Sequence, residues 1–300
     1  MVVSGIRLTY HMPKGLTYDA LNYSDFQARF YDVNPPLTPW PEILIERGLT
    51  LLYKPREIFL KKEIDKLRLK SGDKLLEVGC GQGVFLKRIV KTYGVDAVGV
   101  DVSEKSIKYA RQNQKGRLVE FVVGDALNLP FQNDSFSVVI SFDLLEHIAD
   151  QEKAVEEMTR VLKPEGLLII YSLNKRYKYT LDWLREALGF DIFSRAAHKK
   201  DLLIDTEFLK RELQEKGMKI ADFKLFDAFF VLALDEFIMA MAFVMGKLGL
   251  FKKRSLGLIF LGISSFISHF LYPALYLLDY FWLRKNYSLS FIIVCKKYAK

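Results

Sequence analysis

Lys74-Leu75-Leu76-Glu77-Val78-Gly79-Cys80-Gly81-Gln82-Gly83 is the stretch that decides the fold. A short apolar run leads straight into three glycines at alternate positions, and an amphipathic segment follows as far as Tyr93. A strand that turns tightly into a helix needs backbone freedom, and a ligand can approach the main chain closely only where Cβ is absent. The first turn of the helix then offers unpaired N–H groups to that ligand. Glycine turns of this kind hold several sorts of nucleotide, dinucleotides included, so the turn by itself says only that a nucleoside is expected.

Downstream, short apolar runs alternate with amphipathic segments. Strands are predicted at 74–78, 97–100, 119–123, 138–142 and 167–171, with helices at 83–93, 103–112 and near 150–162. Ser103 reads as an N-cap. A helix at 206–216 closed by Gly217, a sixth strand at 219–226 and a further strand at 288–296 complete the series. Such alternation implies a parallel sheet covered on both faces.

The ends of these strands carry a consistent set of residues. Asp101 stands 22 positions after Gly79, where a carboxylate can accept ribose hydroxyls. Gly124-Asp125-Ala126 ends the third strand, and an acid there can hydrogen-bond an adenine amino group. The fourth strand runs into Phe142-Asp143-Leu144-Leu145-Glu146-His147, and Lys163-Pro164-Glu165-Gly166 introduces the fifth as a turn.

This ordered set resembles the class I S-adenosylmethionine (SAM)-dependent methyltransferases, in particular the ubiquinone and menaquinone methyltransferase group with its type 11 domain. The resemblance covers about residues 73–172, with fainter agreement through 226 and at 288–297. It implies an α/β fold, a doubly wound, mostly parallel seven-stranded Rossmann-like sheet with an antiparallel seventh strand beside the sixth. It also implies SAM as cofactor. Glu77, Gly79, Gly81 and Gly83 would surround the methionine end, Asp101 would hold the ribose, and Asp125 and Ala126 would border the adenine. Phe142 would lie against the cofactor, with Cys80 and Val102 completing the binding set. Ser137 departs from the family, where Asp is common, at a position usually outside the pocket. The rival fold-mate, a nicotinamide oxidoreductase, would carry GxGxxG and would leave Asp125 and the 163–166 element without a role.

Bulk composition sets wider bounds. The 300 residues are 50% hydrophobic and 14% aromatic, with a net charge of +8. Such a balance suits nucleic acid, an anionic membrane face or acidic substrates without choosing among them. The two cysteines, Cys80 and Cys295, show no metal-ligand or disulfide spacing, and no second carboxylate supports a metal at Glu146, so no metal site is expected. No secretory signal opens the chain, which points to a cytoplasmic protein.

Methyl transfer from a sulfonium mainly requires alignment, with a base added when the acceptor is a hydroxyl or an enolisable carbon. His147, just after the fourth strand, is the first candidate base; it also reads as a helix-start histidine capping a carbonyl. His198 lies in a basic, aromatic excursion at 173–205 where the family places substrate contacts. His269 falls in an apolar run and reads as a core or lid residue. Tyr18, Tyr23 and Tyr31 sit in an amino-terminal arm and helices over 1–72, which Pro55 is expected to break, and could cover the cofactor.

A methyltransferase domain at 73–226 plus 288–300 would thus be interrupted by an apolar helical hairpin at 227–287. Residues 256–278 carry no formal charge over 23 positions, long enough to span a bilayer. Asp235 and Glu236 interrupt the preceding apolar segment, and the intervening loop holds Lys247, Lys252, Lys253 and Arg254, against the positive-inside rule for two crossings. A hairpin lying on an anionic membrane surface satisfies both observations, since residues 225–300 hold nine Lys or Arg against four Asp or Glu. The basic residues alternate with long aliphatic helices instead of an aromatic platform, so nucleic acid is not expected as partner. The reading is therefore a SAM-dependent methyltransferase of a lipid or other hydrophobic, membrane-borne small molecule, peripheral at the cytoplasmic membrane face. A soluble acceptor with the hairpin as lid or dimer interface, and a non-catalytic SAM-binding scaffold, are the alternatives. The oligomeric state stays open.

Overall fold

A computed structural model describes residues 62–66, 69, 72–114, 119–189, 199–248 and 254–299. The amino-terminal arm through residue 61 lies outside that range, and so does His198.

The chain runs β1 (Lys74–Val78), α1 (Val84–Tyr93), β2 (Asp96–Asp101), α2 (Glu104–Gln112), β3 (Val119–Val123) and β4 (Phe136–Phe142). It continues through α3 (Gln151–Val161), β5 (Leu162–Leu173), α4 (Leu181–Ala187), α5 (Thr206–Glu215) and β6 (Met218–Phe226). Two long helices, α6 (Phe230–Lys247) and α7 (Arg254–Arg284), precede the last strand, β7 (Ser290–Lys297). The seven strands lie in the order β3-β2-β1-β4-β5-β7-β6. Strands β1 to β5 pair in parallel, while β7 is antiparallel to both β5 and β6. The expected doubly wound sheet with an antiparallel strand next to the sixth is therefore present.

Strand periodicity sorts the core into two layers. Leu76, Val78, Val98, Val100 and Val139 point to the face covered by α3 and α5, where Ala154, Met158 and Leu213 are buried. Their neighbours Leu75, Ala97, Val138 and Ile140 point to the face covered by α1 and α2, against Leu86, Ile89, Ile107 and Ala110. The order of strands reverses between β1 and β4, and in open α/β sheets a ligand crevice forms at that switch, at the carboxyl ends of the strands.

Several local expectations are met in detail. The Ser103 hydroxyl accepts the Ser106 N–H and caps α2, and Gly217 follows α5 with φ of +76°. One expectation is corrected. Residues 163–166 do not precede β5; the strand already begins at Leu162, which pairs with Phe136, and regular pairing resumes at Val138 with Leu167. The four residues between are extruded as a long bulge, with Glu165 at a φ of +62°.

Among the described residues no helix is long and apolar enough to cross a membrane. The last helix, α7, turns Ser264, Tyr272 and Asp279 into the protein as buried residues. Asp279 fastens the hairpin: its carboxylate accepts the N–H groups of Phe229 and Phe230 through Oδ1 and of Val231 through Oδ2. These are orphan donors at the start of α6, satisfied from the neighbouring helix.

Candidate active site

A cleft of about 300 Å³ opens at the carboxyl ends of β1, β2, β3 and β4. Its walls are the turn Gly79-Cys80-Gly81, the end of β2 with Asp101 and Val102, the Asp125-Ala126 loop, and Phe142 with the segment that follows β4. His147 and Ile148 close one side.

Backbone hydrogen bonds lace these strand ends together. The N–H groups of Gly79 and Cys80 both donate to the Val100 carbonyl at 2.8 and 3.0 Å, and Gly124 N–H donates to the Asp101 carbonyl at 3.0 Å. The Asp101 carboxylate ties the glycine turn to α2. Its Oδ2 accepts the Gly81 N–H at 2.8 Å and its Oδ1 the Ser103 N–H at 2.9 Å. Asp125 turns its own loop, with Oδ1 accepting the Leu127 N–H at 2.9 Å. Phe142 is held edge-on by Phe85, at 4.7 Å between ring centroids.

Two glycines are required sterically. At Gly79 φ is +77°, and a Cβ would stand 2.9 Å from the Leu144 side chain. At Gly83 φ is +69°, and a Cβ would lie 2.3 Å from the Phe121 ring. Gly83 caps α1 but contributes no side chain to the cap. The missing acceptor comes from β1, because the Leu86 N–H donates to the Glu77 carboxyl. Glu77 is thus a buried brace behind the turn and does not line the cleft, and Gly83 likewise sits outside the wall. Burial, reinforced by the charge of Asp101, pushes the Glu77 carboxyl up to about 8. Its Oε2 has no hydrogen-bond partner among the described residues. Burial also pushes the Cys80 thiol up, so this wall residue is no thiolate nucleophile.

After β4 the main chain is bent sharply. Asp143 has a φ of +48°, and its N–H donates to the Tyr171 carbonyl at 3.1 Å. The short 3-10 turn Leu145–His147 follows, pinned by the Gln151 amide, which donates to the carbonyls of Leu145 and Leu202. This turn directs His147 to the cleft and Glu146 to the interior. Glu146 accepts a short hydrogen bond from the Ser172 hydroxyl, and burial with the Asp143 charge raises its carboxyl to about 8.

Of the residues singled out in the sequence, the fold brings Gly79, Cys80, Gly81, Asp101, Val102, Asp125, Ala126, Phe142 and His147 to one cleft. Ser106, Asp143, Leu144 and Ile148 also line it and were not foreseen. Asp143 was the legible one, lying between two residues that had been singled out.

The charge of the lining decides what fits. Among the described residues, three carboxylates, Asp101, Asp125 and Asp143, and one imidazole line the cleft, with no Lys or Arg. A pyrophosphate would meet anionic side chains with no cation to offset them. A nucleoside that carries positive charge meets the opposite: acidic walls formed by Asp101, Asp125 and Asp143. The fold and the cleft thus define an α/β domain that binds a cationic nucleoside.

Residues 76–170 match the family described as the methyltransferase domain. The chain carries a class I SAM-dependent methyltransferase domain, with SAM as its cofactor. Norajmaline N-methyltransferase of Rauvolfia serpentina is 35% identical over 111 residues, which is 36% of this chain and 38% of that enzyme. Ubiquinone biosynthesis O-methyltransferase of Bartonella bacilliformis is 26% identical over 180 residues, 57% of this chain and 71% of the relative. The chain therefore spans from little more than a third to less than three quarters of these relatives. Among solved structures, phosphoethanolamine N-methyltransferase 2 of Haemonchus contortus in complex with SAM shares the fold. Its TM-score is 0.56 at 18% identity, covering 96% of this chain and 61% of that one.

Proposed function

We propose that this protein transfers the methyl group of SAM to a hydrophobic, membrane-borne small molecule, working as a peripheral protein at the cytoplasmic membrane face. One observation carries the reading: the acidic cofactor cleft and the apolar α6–α7 hairpin leave the same end of the sheet. The cleft sits at the carboxyl ends of β1 to β4, and α6 departs from the carboxyl end of β6, which runs parallel to β5. A greasy acceptor held against the hairpin would thus lie at the same end of the sheet as the cofactor cleft. The names of the relatives, a ubiquinone-pathway enzyme and an N-methyltransferase of norajmaline, are compatible with a small-molecule acceptor.

SAM brings the chemistry, an electrophilic methyl on a sulfonium; the chain supplies position and proton handling. Asp101, held by the N–H groups of Gly81 and Ser103, would face the ribose. Asp125 and Ala126 would border the adenine, and Phe142 would pack against the nucleoside. Gly79, Cys80, Gly81 and Val102 line the close approach, while Glu77 and Gly83 hold the turn in place from behind. His147, on the cleft wall, takes the proton of a hydroxyl or carbon acceptor; an amine acceptor needs only desolvation. His198 keeps its proposed role at the acceptor side.

Incubating the protein with methyl-labelled SAM and a total lipid extract tests this. Label in the organic phase is the expected result. Label confined to the aqueous phase would assign the enzyme a soluble acceptor, with the hairpin as a lid. No transfer with either kind of acceptor, despite SAM binding, would leave a non-catalytic scaffold.

A further inference from the structure

We infer that the outer face of α7 is a docking surface for an anionic lipid bilayer. The inference takes its purpose from the proposed membrane-borne acceptor and its support from the surface of the helix itself.

Ile259, Ile263, Phe266, Phe270, Leu277 and Phe281 are all exposed, Phe266 by 65% and Leu277 by 73%. Their spacing follows the helical repeat, so they form one stripe. It extends over about 33 Å at 1.5 Å per residue. Tyr272 and Asp279 lie on the opposite side and are buried, which means the stripe is the side of α7 turned away from the protein. On α6, Phe237, Met241, Val244 and Leu248 form a second exposed stripe. An apolar surface of this extent is unusual on a monomer and marks an interaction site.

Charge identifies the occupant. Asp279 is the only acid within α7, and it is buried. The helix begins with Arg254, ends with Arg284 and is followed by Lys285. Two copies paired in parallel through this face would bring Arg284 and Lys285 against their own copies, and paired antiparallel would leave these cations with no exposed carboxylate on α7 to meet. An anionic surface has the complementary charge. The cations also stand over aromatic rings at one end of the stripe: Lys285 lies 4.5 Å from the Phe281 centroid and Arg284 lies 6.0 Å from that of Tyr280. Nearby, Lys178 stands 5.0 Å over Tyr179, whose ring contacts Tyr287 at 5.1 Å. An apolar stripe bordered by an aromatic and cationic belt is the arrangement that suits the boundary between acyl chains and headgroups.

Flotation of the full chain with vesicles of phosphatidylcholine alone, or mixed with phosphatidylglycerol, tests the inference without SAM or acceptor. The expected result is binding to the mixed vesicles that weakens with salt. Phe266→Glu combined with Phe270→Glu should lower partitioning about a hundredfold, with SAM binding and melting temperature unchanged. Arg284→Gln combined with Lys285→Gln should lower it about thirtyfold on anionic vesicles only. Absence of wild-type binding to anionic vesicles, or equal binding by the phenylalanine variant, overturns it. So does a wild-type dimer that becomes monomeric in that variant without any vesicle binding, which would give the face to a second copy. Methyl transfer confined to aqueous acceptors would remove the proposed substrate class yet leave vesicle binding intact, so the two failures can be told apart.

Discussion

Replacing Gly83 with alanine puts a methyl carbon 2.3 Å from two carbons of the Phe121 ring, at a residue whose φ is +69°. Two costs follow. The left-handed backbone costs an L-residue about 1–2 kcal/mol. The clash must be relieved either by moving Phe121, which is buried in the layer under α1 and α2, or by shifting the start of α1 away from the sheet. Forcing an extra carbon into a filled core costs about 1–3 kcal/mol. Together they come to about 3 kcal/mol, or a fall in melting temperature of about 9 °C at the 2–4 °C per kcal/mol of a domain this size. Gly81→Ala is the matched control. Its φ is +50°, but an added Cβ there meets nothing within 4 Å, so only the backbone cost applies, and a fall of about 4 °C is expected. Ligand response should rank the other way. Gly81 lines the cleft and Gly83 does not, so SAM should raise the melting temperature of Gly83→Ala more than that of Gly81→Ala. Thermal melts of both variants with and without SAM measure all of this. Identical melting temperatures for the two variants, within about 1 °C, would refute the packing account of Gly83.

Asp101→Ala removes the acceptor of two backbone N–H groups and of the ribose together, and calorimetry should show SAM affinity reduced about a hundredfold or more, with a smaller loss of stability. Glu77 is raised from 4.5 to about 8 in the fold, so the folded state favours its protonated form. Its contribution is complete below pH 4.5 and is lost as pH rises through about 8. Glu77→Gln keeps a neutral side chain at every pH, so relative to the variant wild type should lose up to about 1.4 kcal/mol per pH unit between about pH 4.5 and 8 and nothing further above that, measured by urea unfolding at pH 6, 7 and 9. Asp279→Ala should strand three N–H groups at the start of α6, at about 1–3 kcal/mol for each one that stays buried; hydrogen exchange should show faster opening of α6 with the central strands protected as before.

Much of the site was legible because its residues sit where strands end. The glycine turn, Asp101 and the Asp125-Ala126 pair each terminate a predicted strand, and in a parallel sheet all such ends meet along one edge. The roles within that set were less legible. Glu77 belongs to the motif, yet it braces α1 from the interior, because strand alternation turns its side chain under the helix start. Residues 163–166 read as a turn ahead of a strand, whereas Leu162 is already paired; a bulge and a turn share the same Pro and Gly signals. Asp143 owes its place on the wall to a left-handed backbone conformation, although its position between Phe142 and His147 already pointed to the cleft.

The order and type of elements, the nucleoside turn and the apolar character of the hairpin were therefore set by local pattern alone, since strand and helix periods and the steric needs of glycine are properties of neighbouring residues. What the tertiary structure decided was which side chains face the same space. Bringing the ends of four strands together left the cleft, among the described residues, with carboxylates and no lysine or arginine, a charge balance that suits a cationic nucleoside and disfavours a pyrophosphate. Packing α7 against the protein through Tyr272 and Asp279 selected which side of a helix that is apolar nearly all round would be covered, and which would stay exposed.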